Sequence, residues 1–193
     1  MTSHQLYVPA LPVLLPLGLT LMVVSAVLLR RRKQLSVLRL ATAWGVSWYA
    51  VAVLGATMLP LQLGWSPGAG PSDLHRITVV PLITMRPLDF VLNTAMTLPF
   101  AAVLYLAAGV RDRRRVVLTA FLVSAAIESV QAILVLLLDG NRWADTNDLI
   151  SNTLGALLGY LWFWRFMDSA TVRRVIGRCV LFRTDPVAPG LTR

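Results

Sequence analysis

The chain has 193 residues, of which 56% are hydrophobic and only 14% charged, whereas an ordinary soluble domain is about a quarter charged, so a soluble globular fold is excluded. Eighteen Lys and Arg against nine Asp and Glu give a net charge of +9, but the cations stand between long apolar runs rather than along one folded face, and no nucleic-acid partner is expected. One cysteine, Cys179, excludes an internal disulfide, and with only two histidines, His4 and His75, the usual zinc ligand sets are missing; no metal and no cofactor is expected.

Five stretches, near 9–29, 37–61, 88–110, 116–138 and 148–166, are long and apolar enough to be membrane helices, since a bilayer core of about 30 Å asks for about 20 helical residues. The predicted fold class is all-α: a polytopic membrane helical bundle of five transmembrane helices. It divides into two N-terminal helices within 1–61, an extracytoplasmic loop over 62–87, a three-helix core over 88–167 and a basic cytoplasmic tail over 168–193. The first stretch reads as a retained span, because no Lys or Arg precedes it and Arg30-Arg31-Arg32-Lys33 follows it. Pro9, Pro12 and Pro16 predict a bent entry into the membrane.

Orientation follows from the cations, which are retained on the cytoplasmic side of span ends. Segments 30–39, 111–115 and 165–193 hold 15 of the 18. Arg76, Arg86 and Arg142 fall in the loops that an alternating path puts opposite. The N-terminus is therefore expected outside and the C-terminus in the cytoplasm, in a bacterial cytoplasmic membrane. The first outer loop is turn-rich, with Gly64, Pro67, Gly68, Gly70 and Pro71, and Ile77–Ile83 is apolar enough to lie at the interface. In the tail, Val172, Val175 and Ile176 interleave with Arg173, Arg174 and Arg178. That pattern predicts a short amphipathic helix on an anionic inner leaflet, or a positive-inside anchor and nothing more.

Ionisable groups within a span are expensive, by at least about 2.5–3.5 kcal/mol, and ask for a reason. Glu128 is the plainest case, with Ser124 and Gln131 on the same helical stripe. Asp148, Asn152, Gly155 and Gly159 follow the spacing of one face of the fifth span. The two glycines let a neighbouring helix approach closely and carry the polar pair into a helix contact. Asn93 and Thr97 add a polar turn to the outer half of the third span. With Asp145 and Arg142 beside them, these groups are expected to meet in one outward-opening pocket. Each also has a plainer reading. Asp145 and Asp148 have N-cap and N3 spacing, Asn93 and Asn152 suit interhelical hydrogen bonds, and a loop arginine is often simply solvated. Trp143, Trp162 and Trp164 fit interface anchors, and Trp44 with Trp48 fits packing.

The run Glu128-x-x-Gln131, a loop with Arg142, and Asp145-x-x-Asp148-Leu149-Ile150-x-Asn152-Thr153-Leu154-Gly155-Ala156-x-x-Gly159-Tyr160 resembles the signature of the VanZ-like membrane proteins. Val80-Pro81-Leu82-Ile83-Thr84 resembles that family's apolar-Pro element, and Asn93 with Pro99 its third-span polar residue and proline. The resemblance runs over about 77–166, while the first two spans match in hydropathy alone. Thr97 and Ala101 stand where the family often has Phe and Gly. The resemblance implies a bacterial polytopic membrane protein from a family whose founding member is tied to resistance to the glycopeptide teicoplanin.

Three functions fit these residues. In the first, the pocket acts on the cell envelope by recognising a lipid-linked cell-wall intermediate or a lipophilic glycopeptide, with the lipid bilayer as the surrounding partner. In the second, an intramembrane enzyme uses Glu128 as general acid or base and Asp148 to orient a polar substrate; no Ser-His, Cys-His or HExxH constellation accompanies them. In the third, Glu128 carries protons for a transporter, against which stands the lack of an internal repeat.

Overall fold

The computed structural model describes residues 4–65, 74–82 and 85–181. Pro67, Gly68, Gly70 and Pro71 of the first outer loop, Ile83 and Thr84, and tail residues 182–193 lie outside the described residues.

Helix α1 (Ala10–Arg31) begins directly after Pro9 and runs unbroken through Pro12 and Pro16. Ser36, with its side chain accepting from the Arg39 N–H, starts α2 (Val37–Met58), and the two pack as a pair. Trp44 donates to the Met22 carbonyl at 3.2 Å and Trp48 lies over Gly18, so both tryptophans serve this contact.

The third apolar stretch is divided into α3 (Pro87–Thr97) and α4 (Phe100–Ala108) by a turn at Leu98–Pro99. Proline has no N–H to continue the ladder and its ring collides with the preceding turn. Asp112 caps α5 (Arg113–Leu138) through the Arg115 N–H at 2.8 Å, and Asp145 caps α6 (Thr146–Met167) through the Asn147 N–H.

Among the described residues four helical segments are long and apolar enough to cross a membrane: α1, α2, Pro87–Ala108 and α5. The expected fifth, α6, equals the first three in length but is absent from this set. The reason lies in its position: α6 sits among α3, α4 and α5 and buries Asn147, Ser151, Asn152, Gly155, Ala156 and Gly159, so its polar and small residues face protein. A Cβ at Gly155 would overlap the Thr97 hydroxyl and the Thr94 carbonyl oxygen, and one at Gly159 the Leu98 carbonyl oxygen. The α6 backbone is thereby seated against the turn that divides α3 from α4.

Two short ribbons add to the all-helical expectation. Strand β1 (His4–Val8) pairs antiparallel with β2 (Leu61–Trp65), and β3 (Ile77–Thr78) pairs parallel with β4 (Ala144–Asp145). Both ribbons flank the ends where α2 and α5 finish and α3 and α6 begin. At the other ends stand the cations Arg30–Lys33, Arg113–Arg115 and Arg165. There α7 (Ala170–Cys179) exposes Arg173, Arg174 and Arg178, while Val172 and Ile176 pack against buried Tyr105, Met167 and Val180. The amphipathic tail helix thus turns this part of its apolar side onto the bundle rather than onto lipid. Leu181 continues the same seam, buried with Leu29 and Ala43.

Candidate functional site

A cavity of about 780 Å³ lies at the ribbon-bearing end of the bundle. Its walls hold Glu128 and Gln131 from α5, Asn93 from α3, Asp148 and Asn152 from α6, and Asp145 and Arg142 from the connection before α6. Seven of the polar residues singled out from the sequence are therefore brought to one space, while Ser124 and Thr97 line a neighbouring apolar cavity instead.

Several of them are held in place by identifiable hydrogen bonds. The Glu128 Oε2 accepts from the Asp145 backbone N–H at 2.8 Å, which ties the middle of α5 to the first residue of the α6 cap and puts a carboxyl group near the positive end of the α6 dipole. The Asp145 side chain accepts from the Asn147 N–H and Nδ2 at 2.8 and 2.9 Å, so it is a helix cap as well as a wall residue. Gln131 Nε2 donates to the Thr57 carbonyl of α2 at 2.7 Å. Because a carbonyl can only accept, this bond fixes which way the amide points. Asn152 Nδ2 donates to Ser124 Oγ at 3.0 Å, joining α6 to α5 inside the protein. Asn93 and Asp148 line the same cavity from α3 and α6.

Three atoms groups in the walls are buried without a hydrogen-bond partner: Gln131 Oε1, Asn152 Oδ1, and the Nε and Nη2 of Arg142. Gln131 and Asn152 are 6% and 4% exposed. Buried polar groups are nearly always paired, so these unpaired atoms are exceptions in the cavity walls. Burial also pushes the Arg142 guanidinium below its ordinary pKa, because a cation removed from water loses solvation.

The surrounding loops are stitched to the same place. Asn147, 2% exposed, accepts from the Leu82 N–H at 2.8 Å, and Thr146 Oγ1 donates to the Thr78 carbonyl at 3.0 Å. Arg76 donates to the Gly140 carbonyl at 2.8 Å and lies 3.7 Å from Asp139. Arg86 sits 4.9 Å over the Trp143 ring and 3.9 Å from Asp89, so Trp143, expected as an interface anchor, carries a cation–π contact at the cavity wall.

Sequence reasoning missed Thr57, His75, Thr78, Arg86 and Asn141, which also line the cavity. Their signal is long-range pairing, visible only once β3 meets β4 and Gln62 meets Asn141. Among the described residues no group of three His, Cys, Asp or Glu side chains is arranged to hold a metal ion. The site is thus a mixed surface: carboxyl groups and amide acceptors in the depths, guanidinium groups and an aromatic ring in the loops.

No curated protein and no solved structure matches the chain. A protein-family model described as VanZ/LLP1 matches residues 46–167. The match reaches further toward the N-terminus than the resemblance read from about residue 77, taking in the part of α2 that supplies Thr57. On this match, which covers well over half of the chain, together with its apolar helices, the protein belongs to the VanZ/LLP1 family and is a multi-pass membrane protein of VanZ type.

Proposed function

We propose that the chain acts at the outer face of the bacterial cytoplasmic membrane, where its polar cavity binds a lipid-linked envelope component or a lipophilic glycopeptide such as teicoplanin and alters drug access at the surface. The observation that carries this reading is a space lined by Glu128, Asp148, Asn93 and Arg142 within an otherwise apolar bundle, at the end opposite the cation clusters. In this reading α6 is a fifth span, enclosed by its neighbours, the N-terminus is outside and the tail is cytoplasmic. Residues 1–61 then form a two-helix flank, 62–87 an outer loop, 88–167 the functional core and 168–193 a basic tail.

A second reading, an intramembrane enzyme, is favoured by two carboxyl groups, Glu128 and Asp148, on the same cavity. One substitution separates the two. Glu128→Gln keeps an oxygen to accept from the Asp145 N–H but cannot exchange a proton, so binding survives it and acid–base chemistry does not.

The test is susceptibility of a sensitive Gram-positive host expressing the wild-type chain, Glu128→Gln or Asp148→Asn at matched membrane levels. The wild type is expected to protect against teicoplanin and not vancomycin, Asp148→Asn to lose the protection and Glu128→Gln to keep it. Loss in both variants would transfer the assignment to the enzymatic reading. Unchanged susceptibility with the wild type would remove the glycopeptide from the proposal.

A further inference from the structure

A second cavity, of about 310 Å³, lies between α2, the α3–α4 turn and α5. Its walls are nearly all apolar, among them Val46, Val53, Phe100 and Ile127. It shares Thr57, Met96 and Asn152 with the polar cavity, so the two spaces adjoin. One end of the pair offers guanidinium and carboxyl groups, and the other offers hydrocarbon. This is the division found in an amphiphile, and its two volumes fall within the ordinary range for small-molecule sites.

The orphaned atoms say which headgroup. Arg86 is engaged by Trp143 and Asp89, but Arg142 presents buried Nε and Nη2 without acceptors. Nε and one Nη form the edge of a guanidinium that grips a phosphate or carboxylate through two parallel hydrogen bonds. Gln131 Oε1, its direction set by the Thr57 carbonyl, and Asn152 Oδ1 lack donors. A ligand that satisfies all of them carries an anion at one point and hydroxyl or amide N–H groups at another, with an apolar chain beyond.

From this we infer that the two cavities form one site for a single-chain lipid phosphate, with its phosphate on Arg142 and its hydrocarbon chain between α2 and α5. The inference rests on the reading that the polar cavity is the functional site and narrows its ligand to a phosphate-bearing lipid. It would stand even if glycopeptide susceptibility were unaffected, because it is tested on binding alone.

The experiment is equilibrium binding to the full chain, purified in a neutral detergent, with farnesyl phosphate, farnesol, lysophosphatidic acid and inorganic phosphate as probes. Farnesyl phosphate is expected to bind about tenfold or more tighter than farnesol, the worth of one charge-assisted contact, and inorganic phosphate alone to bind weakly. Lysophosphatidic acid distinguishes the sources, since tighter binding than farnesyl phosphate points to a glycerolipid and weaker binding to an isoprenoid phosphate. Arg142→Gln removes unpartnered donors, so its thermal midpoint is expected to hold while farnesyl phosphate falls to the farnesol level. Ala50→Leu, which narrows the apolar cavity from α2, is expected to weaken farnesyl phosphate and farnesol alike. Equal binding of farnesol and farnesyl phosphate to the wild type, or full phosphate preference in Arg142→Gln, would overturn the inference.

Discussion

Gly159→Val is expected to cost the fold about 3 kcal/mol or more, or to stop the chain accumulating in the membrane, because the new side chain has no room that can be made cheaply. The first atom it adds falls on the Leu98 carbonyl oxygen, with the Leu98 carbonyl carbon 2.8 Å away. This is backbone at a proline turn, not the tip of a flexible side chain. Forcing extra atoms into a packed contact costs about 1–3 kcal/mol where the surroundings can shift, and here the surroundings are the α3–α4 turn itself. Gly45→Ala in α2 supplies the comparison, since nothing lies within 4 Å of the position a Cβ would take; it is expected to leave stability unchanged or slightly raised by helix propensity. Denaturant unfolding in detergent with a membrane immunoblot reads both. Wild-type stability in Gly159→Val would mean that α6 is not seated on Leu98.

Glu128→Ala is the second large effect. It removes the acceptor of the Asp145 N–H and leaves that donor without a partner at the start of α6, at about 1–3 kcal/mol. Glu128→Gln retains an acceptor of the same reach and is expected to recover most of this. Hydrogen exchange at the Asp145 amide separates the local from the global effect: protection should fall in the Ala variant and persist in the Gln variant. Equal protection in wild type, Ala and Gln would show that the α5–α6 bond is not made.

The helices were legible in the sequence because lipid-facing segments state their length directly. The small-residue face of α6 was legible too, since helical spacing alone puts Asp148, Asn152, Gly155 and Gly159 in line. So was the Asp145 cap, from its polar type three residues before Asp148. The fifth apolar stretch reads as a span, whereas α6 does not reach the hydropathy of the other four and has its polar residues covered by α3 and α5. Hydropathy also missed the division at Leu98–Pro99, where a proline inside an apolar run was read as part of one span. The ribbons escaped notice because β1 and β2 pair residues more than fifty positions apart, as His4 with Trp65, and no local pattern encodes that partner. For the same reason Thr57 and Arg86 were not foreseen at the cavity, nor was the packing of Val172 and Ile176 of the tail helix against the bundle.

Whether the polar cavity faces the cell exterior is tested most directly by the reactivity of single cysteines toward a membrane-impermeant maleimide. Asp89 lines the cavity and is half exposed, so Asp89→Cys in a Cys179→Ser background places a thiol at its mouth. The wild-type chain carries its one cysteine, Cys179, at the end of α7 among the cations of the opposite face. An outward cavity predicts that Asp89→Cys is labelled in intact cells and that Cys179 is labelled only after permeabilisation; the reverse pattern would contradict the outer-face assignment and place the cavity, with any ligand it holds, on the cytoplasmic side.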